Sequence, residues 1–77
     1  MSHWRDVPTS PQAAAIDLVM KGFAAQVLRL APHGTIQACI DRGWLKVYHK
    51  GNGLRLTWTN GGMAALERYR IKFGRIR

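Results

Sequence analysis

The chain has one cysteine, three prolines and four acidic side chains in 77 residues. A single cysteine excludes an internal disulfide framework, so the core must hold through packing alone. Asp6, Asp17, Asp41 and Glu67 form no recognisable acid pair, and Cys39 lacks the neighbouring base and orienting group of a nucleophilic site. His3, His33 and His49 are widely spaced with no cysteine cluster beside them, so no metal site is expected. Gly51 and Gly53 lack the strand-to-helix setting and the lysine of a phosphate-binding loop. An enzyme, a cofactor and a metal are all absent from the expected picture. No run approaches the ~20 apolar residues that cross a bilayer, and no early segment joins a basic leader, an apolar stretch and a small-residue cleavage site. The expectation is a cytoplasmic or nucleoid-associated protein with no membrane partner.

What the chain does have is positive charge: 12 lysines and arginines give a formal charge of +8 with neutral histidines. Coulomb attraction then favours a polyanion, and nucleic acid, an anionic membrane surface and an acidic protein all qualify on charge alone. At 47% apolar residues the sequence can still fold. Its length allows one small core with a stability margin of about 3–5 kcal/mol, thin enough that a homodimer contact would add usefully to it. The expected layout is a loose leader over residues 1–9, one domain over 10–73 and a basic tail over 74–77.

The first helix starts near Thr9-Ser10-Pro11-Gln12, where either Ser10 caps with Pro11 in the first turn or Thr9 and Gln12 form a capping box. Ile16, Val19, Met20, Phe23, Val27 and Leu30 recur near one helical turn and are expected to share a buried stripe, with Gly22 either breaking it into two helices, the favoured reading, or sitting inside one longer helix. Ala31 to Gly34 reads as a turn, and Thr35 as the cap of a short helix ending before Gly43. The period then changes to two. Leu45 and Val47 alternate with Lys46 and Tyr48, Lys50-Gly51-Asn52-Gly53 reverses the chain, and Leu54, Leu56 and Trp58 alternate with Arg55 and Thr57. Thr59 or Asn60 caps a last helix with Met63, Leu66, Tyr69 and Phe73 on a common face.

From Thr35 to Leu66 this order resembles a winged helix-turn-helix domain. TIQACIDRGWL corresponds to a third helix running into a strand, VYHKGNGLRL to a tight wing, and WTNGGMAAL to the Thr-x-x-Gly-x-x-x-Leu run that opens the next helix in many such domains. The resemblance implies a mainly α fold with a β-hairpin, acting as a DNA-binding transcriptional regulator or as a phage or mobile-element accessory factor. It also implies that the helix from Thr35 to Arg42 enters a groove. Gln37 would read adenine, with His33 and Thr35 as lesser readers, and Arg42 would meet phosphate or a base. Lys46, Lys50 and Arg55 would hold the backbone, and Arg68, Arg70, Lys72, Arg75 and Arg77 would track it further along the duplex.

The aromatic residues have a plainer reading. Trp44 follows the Gly43 turn and Trp58 shares parity with Leu54 and Leu56, so both are expected to pack in the core or an interface, whereas Tyr48 shares parity with Lys46 and reads as a surface ring. Together with Trp4 and Phe73 they form the candidate anchors of the alternative account. In that account the domain is a protein-binding winged-helix module that inhibits or assembles a larger complex.

Overall fold

The computed structural model of the chain describes residues 7–74. They run through α1 (Ser10–Met20), α2 (Ala24–Leu30), α3 (His33–Asp41), β1 (Leu45–Lys50), β2 (Gly53–Trp58) and α4 (Asn60–Phe73). The result is a mainly α domain with a two-stranded antiparallel hairpin, in a winged-helix-like topology. Trp4, Arg75 and Arg77 lie outside the described residues.

Side chains decide where α1 begins. The Gln12 amide N–H donates to Thr9 Oγ1 at 3.4 Å, and the Thr9 N–H donates to Gln12 Oε1 at 2.9 Å. That reciprocal capping box makes Thr9 the cap and places Pro11 in the first turn, where its missing N–H costs nothing. The same terminal device closes α1 and α3. Gly22 and Gly43 take positive φ values of 95° and 76°. After α1 the Gly22 and Phe23 N–H groups donate to the Val19 and Leu18 carbonyls; after α3 the Gly43 and Trp44 N–H groups donate to those of Ile40 and Cys39. This pairing satisfies carbonyls that a helix end leaves open, and it needs a left-handed residue, hence glycine.

The break at Gly22 corrects the expected stripe. Ile16, Val19 and Val27 are buried and Met20 is partly so, but Phe23 is half exposed and Leu30 is 73% exposed. The turn restarts the helical phase, so spacing counted across it does not predict a common face. The start of α3 also moves. Pro32, extended at φ −60° and ψ 141°, is the cap, and its carbonyl accepts from the Thr35 and Ile36 N–H groups at 3.0 and 3.2 Å. Thr35 therefore sits inside the first turn rather than before it.

Helix α1 lies at the centre and touches α2, α3, α4 and β2. Ala13 and Ala15 are buried on it, small enough to let neighbours approach from several sides. In the hairpin Leu45 pairs with Trp58, Val47 with Leu56 and His49 with Leu54. These pairs share one face, and Leu45 and Leu56 carry it into the core. Leu54 and Trp58, at the two ends of β2, remain 48% and 38% exposed, so Trp58, expected in the core or an interface, lies outside the core. Only the middle of β2 is fully covered.

Helix α4 is fastened at both ends. Thr59 Oγ1 accepts from the Gly62 N–H at 3.0 Å and donates to the Gly43 carbonyl, while the Thr59 N–H donates to the Trp44 carbonyl at 3.2 Å. A methyl group at Gly62 would overlap that Trp44 carbonyl oxygen, so the motif glycine is there for close approach. Further along, the Tyr69 hydroxyl lies 2.8 Å from Ser10 Oγ. Asp17, buried on α1, pairs with Lys21 at 3.0 Å and with Arg70 of α4 at 3.3 Å.

Cys39 is fully buried, its Sγ 4.0 Å from the Gln12 carbonyl oxygen. Burial pushes its thiol from 9.0 to about 11, against the lowering influence of Arg42.

Gly62→Ala should lower unfolding free energy by about 2 kcal/mol or more through overpacking. Gly34→Ala, with open space around it inside α3, should raise it by about 0.5–1 kcal/mol. Urea midpoints of the two variants check both signs. For Cys39, the unfolded thiol ionises from about pH 9 upward and the folded one only near 11, so folding opposes proton release and stability falls across that window. The stability advantage of wild type over Cys39→Ala should therefore shrink between pH 9 and 11; a constant gap would contradict the burial argument.

Candidate nucleic-acid interface

The outer face of the hairpin is set by register. Burying the Leu45 and Leu56 side turns Lys46, Tyr48 and Lys50 of β1 outward, opposite Thr57, Arg55 and Gly53 of β2. Tyr48 faces Arg55 directly, and Lys46 and Lys50 lie diagonally from it, about 7–8 Å away in a regular antiparallel pair. All four side chains are exposed, with Tyr48 at 42%. Among the described residues Lys46, Lys50 and Arg55 have no carboxylate partner.

The turn keeps this face together. Gly51 and Asn52 form the two-residue connection between the Lys50 and Gly53 pair, and φ is positive at Gly51 alone, the type II′ pattern. The expected reversal over Lys50-Gly51-Asn52-Gly53 is therefore present, with Gly51-Asn52 at its centre. That leaves Lys50 as the last paired residue of β1 and Arg55 two residues into β2.

Helix α3 divides its predicted contacts between two sides. His33 and Gln37, four residues apart, line a groove against the hairpin, whereas Thr35 lines a separate hollow against α1 and α2. One ligand surface does not collect all three. Gln37 Nε2 donates to Asp41 Oδ1 at 2.9 Å, which ties up one of its two N–H groups and sets a carboxylate beside any base contact. Arg42 is exposed, with its guanidinium 5.4 Å from the centre of the buried Trp44 ring.

The cations of α4 are not equivalent either. Arg70 is held by Asp17, Arg68 is partly buried with a partner of its own, and Lys72 Nζ stands 5.5 Å from the centre of the Phe73 ring. Phe73 is exposed and stacks at a tilt on Tyr69, ring centres 5.0 Å apart. Of the candidate protein-contacting rings, Tyr48, Trp58 and Phe73 reach the surface, while Trp44 is core.

Residue patterns missed the groove between α3 and the hairpin. It encloses about 630 Å³ and is walled by Leu28, Ile36, Ile40, Val47 and Leu54, with His33 and Gln37 at its polar side. Its signal was present but divided: the apolar strand parity extends past Leu56 to Leu54, and only the tertiary arrangement adds Leu28 from α2. Among the described residues no cluster of three or more His, Cys, Asp or Glu side chains is placed to hold a metal ion, and no helix is long and apolar enough to cross a membrane. No protein-family model, curated protein or solved structure matches the chain, so its own geometry carries the functional argument.

Proposed function

We propose that this domain binds duplex DNA, with the hairpin seated on phosphates and α3 beside a groove. The observation that carries the reading is the outward face of Lys46, Lys50 and Arg55 around Tyr48, exposed and without carboxylate partners among the described residues. Phosphate neutralisation is independent of sequence, and the Gln37–Asp41 hydrogen bond weakens the leading base-reading side chain of α3. The domain therefore binds many duplexes with modest preference. Such binding suits a transcriptional regulator or a phage or mobile-element accessory factor acting by occupancy. Arg70 contributes mainly to the fold through Asp17, so the hairpin rather than α4 supplies the principal phosphate contacts.

A second reading is favoured by the apolar groove between α3 and the hairpin, which suits a protein segment better than a phosphate backbone. In that account the basic face steers an acidic partner and Leu54 anchors it.

Titration of labelled random duplexes from 50 to 200 mM salt separates the two. Duplex affinity should fall with a log–log slope of about −0.9 per phosphate contacted, and the paired change Lys50→Ala with Arg55→Ala should reduce that slope by about 2. Leu54→Asp, in the groove, should impair a protein contact strongly and duplex binding by no more than about threefold. Asp41→Ala should strengthen binding to every duplex by removing a like charge from the approach side. Absence of duplex binding at 50 mM salt would overturn the DNA reading, and an unchanged slope in the paired variant would remove the hairpin from it.

A further inference from the structure

Phosphate contacts occupy the cations of the outer hairpin face but not the ring at their centre. Tyr48 is 42% exposed, and among the described residues it has no hydrogen-bond partner and no ring or cation contact. Lys46 and Lys50 flank it on the same strand, each two residues and about 7 Å away, and Arg55 pairs with it across the hairpin. The Arg55 side chain runs along β2. Its Nε and Cζ come within 3.9 and 4.0 Å of the point where a Gly53 side chain would begin, so the guanidinium leans toward the turn, where Gly53 pairs with Lys50. The missing side chain at Gly53 thus lets Arg55 reach the Lys50 end of the face, while Lys46 stands beyond the other side of Tyr48.

From this arrangement we infer that the outer hairpin face takes an unpaired nucleotide of DNA at the end of a duplex. Tyr48 stacks on its base, Lys50 and Arg55 hold the phosphate on one side, and Lys46 holds the phosphate on the other. The preferred substrate is then a duplex bearing a single-stranded tail, which rests on the phosphate contacts proposed for the same face. Stacking selects the unpaired base. Inside a duplex both faces of each base are covered by its neighbours, so a ring on a protein surface gains stacking only from a base that has left the helix. Charge selects nucleic acid. Lys46, Lys50 and Arg55 have no carboxylate partner among the described residues, and an uncharged apolar partner laid over Tyr48 would strip water from them without replacing it. No particular base is required, because every base has a π-face, and this agrees with the weak base-reading capacity of α3, where Gln37 is bonded to Asp41.

Affinities of the full chain for a blunt duplex and for the same duplex with a short single-stranded tail, at about 50 mM salt, test this directly. Wild type should bind the tailed DNA at least about fivefold more tightly, the gain expected from one stacked base. Tyr48→Ala should bring the tailed-to-blunt ratio to about one, whereas Tyr48→Phe should keep it, because stacking needs the ring and not the hydroxyl. A ratio is read, so any loss of folded protein in a variant cancels. A fluorescent adenine analogue at the first unpaired position should be quenched by wild type and Tyr48→Phe but not by Tyr48→Ala. A wild-type ratio near one would overturn the stacking while duplex binding stands. So would a preference for the tail that Tyr48→Ala leaves intact, or one that Tyr48→Phe loses as fully as Tyr48→Ala. Failure of both DNAs to bind would remove the phosphate contacts and the stacking together.

Discussion

Strand alternation under a one-sided helical cover is the constraint on which the molecule depends. A two-stranded hairpin cannot stand alone in water, so Leu45 and Leu56 must be buried against the helices. Once they are, the period of two forces Lys46, Tyr48, Lys50 and Arg55 to the opposite face. The packing that stabilises the domain thereby also gathers these three cations, which have no carboxylate partner among the described residues. A slip of one residue in either strand would turn those charges toward the helices and the leucines toward solvent.

The other cations show why net charge alone does not define a site. Asp17 draws Lys21 and Arg70 into a structural clamp between α1 and α4, and Arg42 lies by the Trp44 ring at the end of α3. Among the described residues Lys46, Lys50 and Arg55 share one face of the hairpin, and exposed Arg29 stands apart from them on α2. The apolar surface is similarly divided: one groove follows α3 and the hairpin, and another follows α1 and α2.

Much of this was legible in the sequence because it is local. The Thr9–Gln12 capping box, the glycine stops after α1 and α3, the parity of both strands and the Thr59 cap each depend on residues within a turn or two of one another. Harder to read were features that need the third dimension. Phe23 and Leu30 fit a helical stripe on paper, but the turn at Gly22 rotates α2 and leaves them outward. Thr35 had the chemistry of a cap, yet Pro32 was already extended with its carbonyl placed to open the helix. Gln37 kept its predicted exposure, while its partnership with Asp41 changed what that exposure offers. The Gly62 position combined both kinds of information: the motif marked the glycine, and only packing against Trp44 explained why a side chain is excluded.

The central claim is that the outward hairpin face meets the phosphate backbone. The most direct measurement is a backbone-amide NMR titration of the protein with a short random duplex at low salt. The account predicts that the largest shifts fall on Lys46, Tyr48, Lys50, Arg55 and the connecting Gly51 and Asn52, with smaller ones along α3. Shifts confined to α4, or to the apolar groove walled by Val47 and Leu54, would contradict it.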